Sequence, residues 1–166
     1  MHKDNLLYGG WLDDDIINAA QFMLKQQHPE VGGLQSTTLS EKFAMEPQPG
    51  KFVQVLLING NHWITISTIG CQRSSINVFD SLHGHLPQHA QKVVADIMMS
   101  PDHVLDVRYM DVQWQSGASD CGLFSVAFAT ALCFGIDPST LIFDQQEMRS
   151  HLVSCIESEQ MMPFPA

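Results

Sequence analysis

The spacing of apolar positions changes along this chain. Between Ile16 and Leu24 apolar residues recur at Ile16, Ile17, Ala20, Met23 and Leu24, the period of a helix with one buried face. The acids Asp13 to Asp15 just before them complement the positive end of a helix dipole, so the helix is predicted to begin near Asp14. Phe52 to Ile58 and His62 to Ile69 are instead rich in β-branched and aromatic residues. Asn59-Gly60-Asn61 between them supplies the positive φ angles of a tight hairpin, which puts His62 at a turn exit, exposed at a strand end. Ile76 to Asp80 and Val104 to Val112 read as further strands, and Pro87 to Met99 as a helix with proline in its first turn. Cys121 to Phe134 is apolar on every side and predicts a buried central helix, stopped by Gly135 at the cap position, with Pro138 barring its extension. Asp144 with Glu147 suggests a capping box for a last helix running to about Ser158, and Met161 to Ala166 is expected to fray.

Helix and strand thus alternate without repeat or linker, which describes an α+β fold. At 166 residues with 45% hydrophobic content, the chain has the size of one domain, with a core over about 11–158 and a loose tail over 159–166. Its four cysteines are widely scattered, with no Cys-x-x-Cys pair and no early signal-like run, and this suits a reducing compartment, nucleus or cytoplasm. The longest apolar stretch, Leu123 to Phe134, is too short to span a membrane. A net charge of −10 argues against a nucleic acid partner and for a basic or neutral one.

Among these elements one constellation carries chemistry. Cys121 leads the apolar helix, where the dipole stabilises a thiolate, and Gly117 and Gly122 allow backbone to approach a substrate. Eight histidines could supply a base: His2, His28, His62, His83, His85, His89, His103 and His151. His62 is favoured, because its strand neighbours one ending at Asp80, whose carboxylate can accept the imidazole N–H and fix the tautomer. Gln115, six positions before Cys121, can return its amide beside the Cys121 N–H to bind an oxyanion. Taken singly, each has a plainer reading: an inert core cysteine, a turn-bonding aspartate, an ordinary loop glutamine. His83, His85 and His89 lack structural zinc spacing and are interrupted by Pro87, so neither metal nor other cofactor is expected.

Taken in order, Trp11-Leu12-Asp13-Asp14-Asp15-Ile16-Ile17-Asn18, His62-Trp63, Phe79-Asp80-Ser81-Leu82 and Gln115 through Asp120-Cys121-Gly122 make the chain resemble the Ulp/SENP family of ubiquitin-like-protein proteases, relatives of the adenoviral endopeptidase. The resemblance covers about 11–135. It implies a papain-like cysteine protease fold, with Cys121 as nucleophile, His62 as base, Asp80 as its orienter and Gln115 as oxyanion donor. It also implies that Trp11 and Trp63 line a narrow tunnel over the C-terminal Gly-Gly of a modifier, which two flat indoles can sandwich where bulkier residues are excluded; buried core is the plainer reading of either tryptophan. Asp14 and Asp15 border that tunnel and face a basic modifier, or merely start a helix. The implied reaction is hydrolysis after Gly-Gly in precursors, isopeptide conjugates or both. SUMO is the first modifier expected, with ubiquitin or another ubiquitin-like protein next. Two further readings keep the fold: an acetyltransferase of the bacterial effector type, poorly served by a −10 chain, and an idle modifier-binding module, disfavoured because all four catalytic positions are filled.

Overall fold

The computed structural model describes residues 10–99 and 105–166. His2, His103 and Val104 lie outside the described residues. Helix α1 spans Asp14–Gln27 and is capped by the Asp13 carboxylate, which accepts from the Ile16 N–H. A two-residue strand β1 (Gly32–Gly33) and a short 3-10 turn at Thr37–Ser40 follow. Strands β2 (Phe52–Ile58) and β3 (His62–Ser67) form the predicted hairpin, with Asn59 and Gly60 at φ of 54° and 72°. β4 (Ser75–Phe79), α2 (Gln88–Met98), β5 (Asp106–Tyr109), α3 (Cys121–Cys133), a second 3-10 turn at Pro138–Thr140 and α4 (Gln145–Ser158) follow among the described residues.

Among the described residues five strands make one mixed sheet in the order β1-β2-β3-β4-β5, parallel at both edges and antiparallel in the middle. Side-chain alternation divides the core between its faces. Val53, Val55 and Trp63 join α1, α3 and α4 on one side, while Phe52, Leu56, Ile58, Ile64 and Ile66 meet α2 on the other. Helix α3 is buried along its whole length, as its uninterrupted apolar sequence requires. Thr65 in mid-sheet ties itself to α3 by donating to the Ser125 carbonyl at 2.7 Å. Where β1 stops short, side chains take over its pairing: Gln21 Oε1 accepts from the Val55 N–H, and Gln54 bonds Gln21, the Gln35 backbone and the Val55 carbonyl.

The structure corrects three sequence expectations here. The predicted capping box is absent, since Asp144 is the N-cap of α4 without accepting a side-chain cap bond. The tail is docked rather than frayed. Met161 and Phe164 are buried, Gln27 bonds both the N–H and the carbonyl of Met161, and the Pro165 carbonyl accepts from Asp144 N–H. Two prolines deny this segment regular structure, yet its apolar side chains find a site against α1 and α4. Finally, β5 is shorter than the Val104 to Val112 run, because only Asp106–Tyr109 finds β4 beside it.

Candidate active site

The hairpin register decides the geometry. β4 pairs antiparallel with β3, Thr65 facing Phe79, so the residue after β4 returns beside the start of β3. There the His62 Nε2–H meets Asp80 Oδ1 at 2.6 Å. The ring is less open than a strand end suggested, its side chain only 13% exposed. Asp80 is held on both oxygens, Oδ1 also accepting from the Leu82 N–H at 2.8 Å and Oδ2 from the Gly84 N–H at 3.0 Å. Burial alone would raise the Asp80 pKa, but the His62 bond, the backbone donors and the imidazolium charge keep it below its ordinary value.

With Nε2 committed to Asp80, Nδ1 is the nitrogen left for Cys121, whose thiol, at the first turn of α3, is near enough for the two groups to shift each other's pKa. Burial opposes charge on both groups and is outweighed on both. The His62 pKa is raised to about 9, by its bonds to Asp80 and Cys121 and by their negative charge. The Cys121 thiol is lowered by its bond to His62, the Trp63 backbone N–H and the imidazolium charge. The other three cysteines move the opposite way, burial pushing Cys133 up to about 12 and raising Cys71 and Cys155 as well. A lowered thiol beside an imidazole that a carboxylate holds is an arrangement that nucleophilic cysteine chemistry can use.

Gln115 is buried beside this group and its side chain is fixed at both ends. Oε1 accepts from Ser81 Oγ at 2.5 Å, the backbone N–H donates to the Ser81 carbonyl at 3.0 Å, and Nε2 donates to the Gly117 carbonyl at 3.0 Å. One amide hydrogen therefore serves the loop and the second can serve a ligand. Ser81 escaped sequence reasoning, although it directly follows Asp80. Also unforeseen is the clamp from α4: the Gln145 side chain bonds both the N–H and the carbonyl of Ser116, and Gln145 Nε2 and Arg149 Nη2 hold the Asp120 carboxylate at 2.7 and 2.5 Å. Their four-residue spacing puts them on one helix face, but nothing local says which loop that face meets.

Trp11 and Trp63 are brought together, and more closely than a tunnel allows. Their rings stack with centroids 5.6 Å apart and 23° between planes, so the gap that the resemblance implies is closed in this structure. Trp63 is buried, donating from Nε1 to the Leu12 carbonyl at 2.9 Å, whereas the half-buried Trp11 donates to the Asn61 carbonyl at 3.1 Å. A cleft of about 240 Å³ opens beside them, lined by Trp11, Trp63, Leu57, Thr37, Thr38, Asp14 and Glu41. Asp14 thus borders the cleft; Asp15 is exposed at the start of α1 and is not among its lining residues. Gly122 has a different role from the one its position suggested. A Cβ there would come within 3.0 Å of the Leu12 Cβ, so its smallness lets α3 pack against the segment before α1 and offers no surface to substrate. Gly117 does lie in open space, with φ of 78°.

The remaining histidines are dispersed. His83 stacks on the exposed Trp114 with centroids 4.2 Å apart, His85 meets the edge of Tyr109 and His89 lies against Phe43. Among the described residues, no three His, Cys, Asp or Glu side chains are grouped to hold a metal, and no helix is long and apolar enough to cross a membrane.

Comparison with known proteins bears on the whole arrangement. No curated protein sequence matches the chain. Among solved structures, it resembles the C-terminal Ulp1 protease domain in complex with Smt3, the yeast ortholog of SUMO, at TM-score 0.68 and 17% identity over 95% of this chain and 81% of that one. The Ulp1-like SUMO protease catalytic domain of Chaetomium thermophilum gives 0.63 and 16% over 92% and 74%, and the Xanthomonas campestris effector XopD bound to ubiquitin gives 0.57 and 14% over 87% and 91%. Likeness at such identities establishes the α+β papain-like fold. The sequence itself, over residues 50–157, matches the model of the Ulp1 protease family's C-terminal catalytic domain, and the chain belongs to that family of cysteine peptidases.

Proposed function

We propose that the protein cleaves the bond after the C-terminal Gly-Gly of a ubiquitin-like modifier, with Cys121 as nucleophile, His62 as acid–base, Asp80 as orienting carboxylate and Gln115 as oxyanion donor. The observation that carries this reading is the single lowered thiol of the chain, paired with an imidazole whose far nitrogen is fixed by Asp80 at 2.6 Å. The Cys121 thiolate attacks the glycine carbonyl carbon. The oxyanion that forms accepts from the Cys121 backbone N–H and the Gln115 amide, whose aim is kept by Ser81. Collapse expels the amine, which takes the proton from the His62 imidazolium and leaves a thioester on Cys121. Water then attacks the thioester carbonyl while His62 accepts its proton, and a second collapse releases the modifier's carboxylate and restores the pair.

Glycine suits the entry. A tail without side chains needs the least separation of Trp11 and Trp63 to pass between them, and their stacked rings must part before it enters. Asp14 and Glu41 on the adjoining cleft favour a modifier with basic side chains near its tail. SUMO is the first choice because Ulp1 and the Chaetomium enzyme are SUMO proteases; ubiquitin follows, since the similar effector XopD binds it. The test is a panel of SUMO, ubiquitin and other modifiers carrying C-terminal electrophiles, scored by adduct mass at Cys121. Capture of SUMO above the rest supports the reading. Labelling of Cys71, Cys133 or Cys155 in its place, or equal capture of Gly-Gly and Ala-Ala tails, overturns it.

A further inference from the structure

An aspartate immediately before a helix ordinarily turns its carboxylate onto the helix's own first N–H groups, with its backbone extended. Asp120, at the N-cap of α3, does neither. Its φ and ψ are −101° and 11°, and its side chain makes no cap bond. Both oxygens are instead turned toward α4, Oδ1 to Arg149 Nη2 at 2.5 Å and Oδ2 to Gln145 Nε2 at 2.7 Å, with the two charged side chains only 14% and 17% exposed. Gln145 also bonds the Ser116 N–H at 3.0 Å and the Ser116 carbonyl at 2.9 Å, fixing the start of the loop that Asp120 ends.

We propose that Arg149 and Gln145 are positioning residues that hold the Asp120 carboxylate off the N-terminus of α3, so that its first N–H groups stay open to the substrate's oxyanion. The inference rests on the proposed role of Cys121. An oxyanion at that site needs unoccupied donors, and a neighbouring carboxylate left free has two reasons to take them: it would satisfy unpaired backbone donors and meet the positive end of the helix dipole. Bound there, it would compete with the oxyanion for the same hydrogens and repel its charge. Arg149 neutralises the carboxylate and draws it away. Gln145 supplies the second anchor and keeps the Ser116 end of the loop, next to Gln115, from shifting. The cap that the sequence Asp120-Cys121 invites is thereby given up at one helix end for the benefit of the reaction.

The test compares wild type with Arg149→Met, Arg149→Lys and Arg149→Met combined with Asp120→Ala, using hydrolysis of a Gly-Gly peptide thioester. Arg149→Met should lose about 10- to 100-fold in kcat with KM nearly unchanged, as expected when an interaction made only in the transition state is obstructed. Lysine should restore part of the loss. The double variant should recover most of it, because alanine can neither cap the helix nor oppose the oxyanion. If Arg149 were only a structural strut, the double variant would be no better than Arg149→Met alone, and that result overturns the inference. So does an Arg149→Met protein of wild-type kcat. Thermal melts of all variants show whether a loss comes from unfolding; should Arg149→Met not fold, the Lys and double variants decide alone. A wild-type protein that neither hydrolyses the thioester nor forms an adduct at Cys121 refutes the catalytic reading itself, a distinct outcome.

Discussion

Among the described residues two cysteines lie beside a histidine, and only one of the two thiols is lowered. Cys121 meets His62 at the start of α3, and Cys155 meets His151 on α4, with Sγ and Nε2 3.5 Å apart. Both thiols are buried, yet the first is lowered and the second raised. The difference lies in what each imidazole does with its other contacts. His62 gives Nε2–H to a carboxylate and keeps a nitrogen for the thiol, whereas His151 spends the nitrogen nearest Cys155 on the Met162 carbonyl at 2.9 Å. A carbonyl confers no charge, and a nitrogen that already carries a donating hydrogen cannot take a proton. Cys155, besides, sits near the C-terminal end of its helix, where the dipole disfavours a thiolate. Proximity of an imidazole alone does not activate a thiol.

The largest expected effect comes from removing each sulfur in turn. Cys121→Ala should lower turnover of modifier by about 10⁴-fold or more, while Cys155→Ala should leave it within about threefold of wild type. Circular dichroism should show both folded. Iodoacetamide at mildly acid pH, read by mass spectrometry, should mark Cys121 and spare Cys155.

Next in size, Asp80→Asn should deprive His62 of its carboxylate partner. Without the carboxylate, the pKa of about 9 should fall, because burial then works against the imidazolium unopposed by Asp80, and the Cys121 thiol should rise as its cation is lost. In the proposed mechanism the reactive ion pair exists between those two values, so the bell-shaped pH profile should narrow from both sides. Its maximum should drop by about 10²- to 10⁴-fold. An Asp80→Asn protein with an unaltered alkaline limb would show that Asp80 does not govern His62.

Deleting residues 161–166 attacks the other pair. The docked Met161 and Phe164 are lost, and a penalty of about 3–5 kcal/mol in chemical denaturation is expected from burial of that kind. His151 loses its Met162 partner as well, and Cys155 should then alkylate faster without any gain in turnover. A truncated protein as stable as the full chain would mean that the tail contributes packing without stability.

The smallest effect is on stability against pH. His62 has a folded pKa of about 9 against an ordinary 6.5, so its contribution is fully present below about 6.5 and is lost as pH rises through 9. Wild-type Tm should therefore fall across that window more steeply than that of His62→Ala.

Much of the site could be read from the chain because its signals are local. Asn59-Gly60-Asn61 can only be a turn, which places His62 at the head of a strand, and an apolar run from Cys121 can only be a buried helix with its first residue at the positive end of the dipole. The order of motifs then supplied the family. Local chemistry also misled where two outcomes share one pattern. Gly122 permits close approach of anything, and that something is Leu12; Asp144 and Glu147 have capping spacing, yet no cap bond forms.

What the sequence by itself determined is the longer helices and strands and the candidate groups at their ends, since turn chemistry, helix period and dipole all act within a few residues; the two-residue β1 at Gly32–Gly33, which reads as loop, was not among them. Only the tertiary structure decided which groups meet. The sheet register brought Asp80 to His62 across 18 positions, Arg149 reached Asp120 across 29, and Trp11 stacked on Trp63 from a segment still further away in the chain. Such contacts depend on how whole faces pack. The tail shows the same limit, because whether Met161 and Phe164 fray or dock is settled by a site against α1 and α4 that exists only once the rest has folded.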